Sequence, residues 1–320
     1  MKKIIPIFYA CDDNFVKYTI ISAKSLIENA SKDYFYKIMV LNTNVSEEMK
    51  NKAYTLNCDN ASVEFVNVTS YLDSIKEKLP IRDYYSKTTY FRLFIAEMYP
   101  ELDKAIYIDS DTIVLGDISK FYNTDLGDNY VGACNEQAML QVNTYGDYVE
   151  QVVGIKRDKY FNAGHLLINC KQFRQVHILD SFIKLLGVYN FVVVQDEDYL
   201  NLLCKDHVKW IHNSWNTEVF GEVKWRDDEI NVLPGFKFIN FIMWSKPWHF
   251  KDARYKEYFW KYAKKTCVYE ETLDVLNNFT DDDRQKAFDG AANLERLAKA
   301  EIARPDNYLK LIESKKIVAA

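Results

Sequence analysis

Two acidic residues separated by a single residue directly follow an apolar run of the chain. The run is Ala105–Ile108, and Asp109-Ser110-Asp111 comes next. In an extended segment the side chains of residues i and i+2 lie on the same face, so both carboxylates can approach one cation. Carboxylate oxygens suit Mg²⁺ and Mn²⁺, and substrate phosphates commonly complete the shell. The pattern therefore predicts a divalent-metal site, with a solvated acidic turn as the alternative.

Two classes of enzyme use paired aspartates after a strand. Haloacid-dehalogenase-type phosphatases carry D-x-D-x-T or D-x-D-x-V, usually on the first strand, whereas nucleotide-sugar glycosyltransferases hold a metal and a diphosphate with D-x-D. Here Thr112 comes one place too early for the phosphatase pattern, and Ile113 fills the fifth position. The phosphatase is therefore the more distant alternative.

The elements that must position these residues alternate between strand and helix. Apolar runs typical of buried strands are Ile4–Tyr9, Tyr36–Leu41, Val63–Val66, Ala105–Ile108 and His165–Ile168. Helical patterns run from Val16, from Ser46 as N-cap, over Thr89–Met98, over Gln172–Leu186 and from Gln195. Such alternation predicts an α/β fold with a mainly parallel sheet, in which ligands bind beyond the carboxyl ends of the strands. Asp12-Asp13 and the Asp109–Asp111 pair both lie at such ends.

Composition excludes several classes of protein. The 320 residues are 48% hydrophobic, which is typical of a globular protein and excludes a disordered chain. The formal net charge is −5, so the chain has no overall basic charge of the kind that binds nucleic acid. The six cysteines show no C-x-x-C pair and are interpreted as reduced, buried thiols of a cytosolic protein. No apolar run reaches about 18 residues, so we expect no transmembrane segment. We expect a cytoplasmic protein and leave peripheral attachment at a membrane open.

The character of the chain changes near residue 266. Arg284–Arg304 is rich in Ala, Leu, Glu, Arg and Lys and has a helical pattern, with Asp281–Asp283 before it. We therefore divide the chain into a domain at 1–265 and a helical C-terminal appendage at 266–320. Residues 270–320 contain 8 basic and 11 acidic residues, which argues against attachment of this tail to anionic lipid. Oligomerisation through the tail is an open hypothesis.

Seven short motifs occur in one order along the chain, and together they resemble glycosyltransferase family 8. This family comprises retaining galactosyl- and glucosyltransferases similar to bacterial lipopolysaccharide transferases and glycogenin. The resemblance covers about residues 3–250. The motifs are Ala10-Cys11-Asp12-Asp13-Asn14, Thr88-Thr89-Tyr90-Phe91-Arg92-Leu93, Tyr107-Ile108-Asp109-Ser110-Asp111, Leu126-Gly127-Asp128-Asn129-Tyr130, Tyr160-Phe161-Asn162-Ala163-Gly164, Gln195-Asp196-Glu197-Asp198-Tyr199-Leu200-Asn201 and Lys246-Pro247-Trp248-His249.

The resemblance implies a fold, a reaction and its partners. The fold is GT-A, a Rossmann-like mixed sheet in which nucleotide and acceptor halves merge. The reaction is metal-assisted hexosyl transfer from UDP-glucose or UDP-galactose with Mn²⁺ or Mg²⁺, and the anomeric configuration is kept. Retention allows either a front-face displacement or a double displacement through a covalent sugar. The acceptor is a carbohydrate, a lipid-linked glycan or a protein, as in assembly of a cell-surface polysaccharide.

The resemblance also implies roles for individual residues. Ala10, Asp12, Asn14 and Phe15 fall where the family cradles the uridine. Asp109 and Asp111 would be metal ligands, and Ser110 between them belongs to the same nucleotide site. Arg92, Asn162, Asp196 and Glu197 fall at the donor sugar, and Lys246 falls at the diphosphate. The catalytic set expected from these positions is Arg92, Asp196, Glu197 and Lys246.

Two positions depart from the family pattern. Asn240 stands where the family usually has a histidine that is the third protein ligand of the metal. An amide oxygen is a hard ligand acceptable to Mg²⁺ or Mn²⁺, so Asn240 either binds the metal more loosely or only satisfies backbone groups. A catalytically weak UDP-sugar-binding partner subunit is therefore the second functional hypothesis.

The other departure is Glu197, which replaces the glutamine of many relatives. Its carboxylate either acts as a nucleophile or hydrogen-bonds sugar hydroxyls as the amide would, and we favour the second.

Overall fold

The fold centres on a seven-stranded mixed sheet, seen in a computed structural model that describes residues 2–73, 87–220 and 235–317. The strands of this sheet lie in the order β3-β2-β1-β4-β7-β6-β8. Their bounds are β1 Lys3–Ala10, β2 Tyr34–Asn42, β3 Ala61–Asn67, β4 Ala105–Ile108, β6 Val131–Ala133, β7 His165–Ile168 and β8 Val208–Trp210. A second sheet has the order β5-β10-β9, with β5 Thr112–Val114, β9 Thr217–Glu218 and β10 Phe238–Asn240.

Helices connect and cover the strands. Those on or beside the main sheet are α1 Val16–Asn29, α2 Glu47–Tyr54, α3 Thr69–Asp73, α4 Ile95–Met98, α5 Ile118–Tyr122, α6 Gln137–Gln141, α7 Asn143–Tyr148, α8 Cys170–Gln175, α9 Ile178–Val188 and α10 Asp196–Leu203. The C-terminal helices are α11 Lys256–Ala263, α12 Tyr269–Asn278, α13 Asp281–Ala303 and α14 Tyr308–Glu313. A 3₁₀ helix over Lys87–Phe94 precedes α4.

Strand direction explains where a ligand can bind. β1 runs parallel to β2 and to β4, and β2 runs parallel to β3, so the carboxyl ends of these four strands share one edge. β7 is antiparallel to both β4 and β6, which makes the sheet mixed. The antiparallel register Ile108↔His165 brings the segment just before β7 next to the Asp109–Asp111 pair.

The small sheet extends this edge. Asn240 of β10 pairs with Thr112 of β5 and with Glu218 of β9. The backbone N–H of Phe241 also donates to the carbonyl of Asp111 at 3.0 Å. Residues far apart in the sequence therefore meet beside the second aspartate of the acidic pair.

Most predicted elements are present, and three sequence-based predictions need correction. The predicted helix Gln172–Leu186 is two helices, α8 and α9, because the chain turns at His177, whose φ is 53°. Most of the helix predicted over Thr89–Met98 is the 3₁₀ helix, and only its last turn, α4, is α-helical. Among the cysteines, Cys58 and Cys267 are exposed, whereas the other four are buried free thiols.

The C-terminal helices pack on the rest of the chain. Helix α13 begins with a capping box, since the Thr280 side chain and the Asp283 backbone and side chain bond reciprocally. It packs against α7, and the Tyr189 hydroxyl donates to the buried carboxylate of Glu301 at 2.6 Å. Tyr308 of α14 is 1% exposed and lies against Tyr189 at 5.6 Å between ring centroids. The tail is thus in contact with the core of the main domain, and its role in oligomerisation stays a prediction.

No helix within the described ranges is long and apolar enough to cross a membrane. Acceptor contacts are expected from sequence in the variable segments 71–87, 136–160 and 213–237. Large parts of the first and the last, residues 74–86 and 221–234, lie outside the described residues.

Candidate active site

A cleft of about 400 Å³ opens at the carboxyl ends of β1 and β4. Of the residues predicted from sequence, it is lined by Ala10, Asp12, Phe15, Arg92, Asp109, Ser110, Asp111, Asn162, Asp196, Glu197, Asn240 and Lys246. Asn14 is exposed in the turn before α1 and does not line the cleft. The fold therefore brings together all but one of the predicted site residues.

The turn after β1 forms one end of the cleft. Asp12 Oδ1 accepts a hydrogen bond from the backbone N–H of Phe15 at 3.1 Å, which closes the turn that leads into α1. The Phe15 ring is 40% exposed, so an aromatic face is available at the rim. On α1, the Thr19 hydroxyl lies 2.8 Å from the Ser110 hydroxyl and ties this turn to the acidic pair.

Asp109, the first aspartate of the acidic pair, contacts two buried side chains, Tyr107 and Arg92. Its Oδ1 accepts from the Tyr107 hydroxyl at 2.9 Å and lies 3.2 Å from Arg92 Nη2. Burial raises the pKa of Asp109 to about 6, although the neighbouring Arg92 guanidinium opposes the rise. Its Oδ2 faces Gly164, where a Cβ atom would come within 2.7 Å of it. Glycine at position 164 thus allows the backbone to approach the carboxylate.

Asp111 lies beside Lys246, which also lines the cleft. Lys246 Nζ donates to Asp111 Oδ2 and to the backbone carbonyl of Phe241. Two residues further on, Trp248 is 1% exposed and stacks on Tyr18 of α1, with ring centroids 3.8 Å apart. This buried stack anchors the loop that carries Lys246, so its ammonium group is held beside Asp111.

The acidic pair and Asn240 fit a divalent cation. Asp111 Oδ1 and Asn240 Oδ1 are buried acceptors that have no hydrogen-bond partner among the residues the structure describes. Buried acceptors normally have a donor, so such a group of unsatisfied oxygens is the environment that a cation would complete. The described residues contain no group of three His, Cys, Asp or Glu side chains able to hold a metal. The donor set here is two carboxylates and one amide.

Arg92 links the acidic pair to the start of α10. The side chain is 4% exposed, its Nε lies 3.2 Å from Asp196 Oδ2, and its Nη1 donates to the carbonyl of Ala163. Its guanidinium also lies 4.3 Å from the centroid of the Tyr107 ring. The buried Arg92 guanidinium therefore orients two carboxylates: Asp109, which follows β4, and Asp196, which begins α10.

Glu197 faces the cleft from the first turn of α10. The preceding Gln195 has φ 55° and ψ −114°, a conformation that L residues rarely adopt and that turns the chain sharply into the helix. Glu197 Oε2 accepts from the backbone N–H of Ala163 at 2.7 Å, and its Oε1 is buried with no hydrogen-bond partner within residues 2–73, 87–220 and 235–317. Burial, reinforced by the charge of Glu136, raises the pKa of Glu197 well above its ordinary value.

Sequence reasoning missed a third buried carboxylate in the cleft, Glu136. It follows β6, caps α6 by accepting from the backbone N–H of Ala138 at 3.0 Å, and accepts from Asn162 Nδ2. Asn162 Oδ1 in turn accepts from the backbone N–H of Gly164 at 2.9 Å. Only a weak signal was present, because Glu136 comes three residues after the end of β6, whereas Asp109 follows β4 directly.

The far end of the cleft is apolar and includes the C-terminal tail. Leu294 and Ala291 of α13 line it together with Met139 of α6 and Tyr145 of α7. Thr144 Oγ1 donates to Glu295 Oε1 at 3.2 Å and fixes α13 against α7. No pattern in the sequence connects residue 294 with residue 139.

This combination of a mixed sheet, a small second sheet and a D-x-D pair in the cleft between them defines a GT-A glycosyltransferase fold. The chain belongs to glycosyltransferase family 8, since the model of the family described as "Glycosyl transferase family 8" matches residues 6–252. The tail that contributes Leu294 lies outside this match.

Several relatives are similar to this chain. A putative glycosyltransferase of Haemophilus influenzae is 30% identical over 212 residues, which is 66% of this chain and 62% of that protein. The lipopolysaccharide 1,3-galactosyltransferase of Salmonella typhimurium is 26% identical over 178 residues, 54% of this chain and 52% of that protein. The chain thus spans between half and two thirds of the length of these two relatives.

Solved structures share the fold. LgtC, a galactosyltransferase solved with donor and acceptor sugar analogues, superposes with a TM-score of 0.67 at 27% identity, covering 82% of this chain and 96% of that one. The bifunctional glycosyltransferase WbbM superposes with a TM-score of 0.75 at 24% identity, over 86% of this chain and 52% of that one.

Proposed function

We propose that this protein is a retaining hexosyltransferase that uses UDP-glucose or UDP-galactose and Mn²⁺ or Mg²⁺. The observation that carries the proposal is the meeting of Asp109, Asp111 and Asn240 beside Lys246. Two of their acceptor oxygens have no hydrogen-bond partner in the described part of the chain. Relatives named as a lipopolysaccharide galactosyltransferase and a lipopolysaccharide glucosyltransferase support a hexose donor. The acceptor class is a glycan, a lipid-linked glycan or a protein.

Charge at the diphosphate end favours departure of UDP. Breaking the sugar–phosphate bond builds negative charge on the leaving group, and preorganised positive charge stabilises it. A cation held by Asp109, Asp111 and Asn240 would supply part of that charge. Lys246 supplies the rest from the chain itself, because its loop is fixed by the stack of Trp248 on Tyr18.

Buried polar groups orient the donor sugar. Arg92 holds Asp196, and Asn162 is held between Glu136 and the backbone of Gly164. Side chains fixed in this way can bind sugar hydroxyls without losing conformational freedom on binding.

The environment of Glu197 favours a binding role over a nucleophilic one. Burial, reinforced by the charge of Glu136, raises the pKa of Glu197 and so favours its neutral form. A neutral carboxyl is a poorer nucleophile than a carboxylate, and it can donate a hydrogen bond to a sugar hydroxyl.

Retention then follows from a front-face displacement. The bond between the anomeric carbon and the β-phosphate oxygen breaks, and the acceptor hydroxyl oxygen bonds to that carbon on the same face. The departing phosphate oxygen takes the proton of the acceptor hydroxyl. This route forms no covalent sugar intermediate and therefore requires no nucleophilic side chain.

The turn after β1 serves the uridine in this proposal. Ala10 and Asp12 line the cleft there, and the exposed Phe15 ring offers a face to the base. Asn14 lies outside the cleft wall, so we assign it no contact with the donor.

The proposal is tested by UDP release measured over a panel of UDP-sugars, with Mn²⁺ and with EDTA. We expect release with a UDP-hexose and Mn²⁺, and loss of release with EDTA. Tight binding of UDP-sugar without release, with any acceptor tried, would instead identify a non-catalytic binding subunit. Hydrolysis of an aryl phosphate without affinity for UDP would identify a phosphatase and overturn the proposal.

A further inference from the structure

The amide of Asn240 can face the cleft in two ways, and only one presents oxygen. Its Oδ1 is an acceptor able to bind a cation, whereas its Nδ2 is a donor that cannot. A 180° turn of the amide would therefore remove the ligand without changing the shape of the side chain. An asparagine ligand consequently needs a neighbour that fixes its orientation.

A buried series of hydrogen bonds behind the cleft provides such a neighbour. Glu218 is 0% exposed; its Oε2 accepts from the backbone N–H of Gln137 at 3.0 Å, and its Oε1 accepts from Asn216 Nδ2 at 3.1 Å. Since its Nδ2 is committed to Glu218, Asn216 presents Oδ1 on its other side. There it accepts from Asn240 Nδ2 at 3.2 Å. The amide oxygen of Asn240 is thereby left without a partner among the described residues.

The small sheet holds these side chains in register. Asn240 of β10 pairs with Glu218 of β9, and the backbone N–H of Val219 donates to the Asn240 carbonyl at 2.7 Å. Gln137 Nε2 also donates to the backbone carbonyl of Asn216. Asn216 is 0% exposed, so bulk water does not compete for its side chain. The orientation is thus set by backbone pairing as well as by side chains.

We propose that Asn216, itself oriented by Glu218, is a positioning residue that makes Asn240 an oxygen ligand of the divalent cation. The proposal rests on the proposed function, because it requires a cation between Asp109, Asp111 and Asn240. It explains how an amide can stand where the family usually has histidine. Neither Asn216 nor Glu218 lines the cleft, so both act through Asn240.

The first test is Mn²⁺ affinity, measured by electron paramagnetic resonance of free Mn²⁺ on the full chain with UDP present. Asn216→Leu keeps the size of the side chain and removes both hydrogen bonds. We expect it to weaken Mn²⁺ binding about 10- to 100-fold, the usual range for loss of a partner that orients a metal ligand. Asn216→Ala makes the same deletion with less bulk and replaces the leucine variant if that does not fold.

A matched control separates orientation from general loss of a buried amide. Asn42 is 4% exposed, bonds the carbonyls of Val40 and Val66, and does not line the cleft. Asn42→Leu should lower the melting temperature without metal but leave Mn²⁺ affinity at the wild-type value.

The second test repeats the Asn216 substitution in an Asn240→Asp background. Both terminal atoms of aspartate are oxygens, so turning the group over does not remove the ligand. The Asn216 substitution should then change Mn²⁺ affinity by less than about threefold, well below the 10- to 100-fold range above.

Three results would overturn the inference. Wild-type Mn²⁺ affinity in folded Asn216→Leu would exclude positioning while leaving the proposed function intact. An equal loss in the wild-type and Asn240→Asp backgrounds would assign Asn216 a purely structural role. No binding of Mn²⁺ by the wild-type protein with UDP would overturn both the inference and the metal-assisted function.

Discussion

The two ends of the cleft are built in different ways. One end, where we propose that the UDP-sugar donor binds and which we call the donor end, is polar. Its side chains follow strand ends or lie on the small sheet, so backbone pairing fixes Asp109, Asp111 and Asn240. The far end is apolar, and it forms where α6 and α7 meet α13 from the C-terminal tail. At the polar end the chemistry depends on charged groups, whereas at the apolar end the shape of the wall depends on how the helices pack.

This contrast has a functional meaning. Charged groups at the donor end must be held within about half an ångström to act on a leaving group, and a sheet provides that rigidity. Side chains on the packed helices have no such constraint, so we expect substitutions in the apolar wall to leave the donor end unaltered. The first two predictions below alter one end of the cleft and test whether the other end is affected. The third concerns the contact between the Lys246 loop and the tail.

The largest effect is expected from Asp111→Asn at the donor end. The substitution removes the charge that balances Lys246 and replaces a predicted carboxylate ligand of the metal by a neutral, weaker amide. UDP release should therefore fall by at least about 100-fold. The measurement is the rate of UDP release at saturating Mn²⁺. The exposed Asp59 provides the control, because Asp59→Asn should leave the rate unchanged. Comparable rates for the two variants would contradict a metal-binding role for Asp111.

A smaller effect is expected from Leu294→Ala at the apolar end. Leu294 is 7% exposed in the core cluster, so its truncation should lower the free energy of unfolding by about 2 kcal/mol, at the low end for buried leucine. Because Leu294 also lines the cleft, we expect a raised KM for the acceptor and an unchanged affinity for UDP. Denaturant titration and transfer kinetics measure the two effects. Arg296→Ala, on the exposed face of the same helix, should change neither. A parallel loss of UDP affinity would show that the two ends are not independent.

The smallest effect concerns the contact that joins the Lys246 loop to the tail. His249 stacks on Phe279 with ring centroids 4.4 Å apart, and burial, reinforced by the charge of Lys246, lowers the pKa of His249 to about 4. The unfolded chain takes up this proton near pH 6.5, whereas the folded protein resists it until about pH 4. The contribution of neutral His249 to the free energy of unfolding is therefore present above pH 6.5, and it is lost as the pH falls towards 4.

His249→Phe should remove this acid sensitivity. The measurement is urea unfolding followed by circular dichroism at pH 7 and at pH 5. Over this range the variant should lose about 1 kcal/mol less free energy of unfolding than the wild type does. The difference is modest because His249 is only partly buried. His177→Asn, a change at an exposed histidine, should behave as the wild type does. Equal pH dependence of the His249 and His177 variants would exclude the stack as the origin.

Sequence patterns predicted the elements around Asp109 and Asp111 because helix capping and buried strands depend mainly on neighbouring residues. The sequence predicts that Ser46 caps a helix, and its side chain accepts from the backbone N–H of Met49 at the start of α2. The run Ala105–Ile108 forms β4 with the same bounds, since an apolar segment between turns has few other solutions. Asp109 and Asp111 then lie at the sheet edge where ligands of α/β folds bind.

The rest depends on contacts between distant segments. The break at His177 and the packing of Leu294 in the core follow from tertiary structure, which local propensity does not encode. Asn216 precedes and Glu218 ends β9, a strand of two residues that is too short for any periodic signal. An acidic residue after an apolar strand is a candidate site residue, and Glu136 comes shortly after β6. It was missed because β6 is only three residues long and its apolar run is weak.

The position of Leu294 in the cleft also sets an order of events during synthesis. Asp109 and Asp111 leave the ribosome well before α13, and at about 5–20 residues per second the delay is on the order of ten seconds or more. A nascent chain from which only the segment matched by the family model has emerged therefore has a cleft open at one side. The apolar end of the cleft is therefore complete only after α13 has emerged and packed against α7.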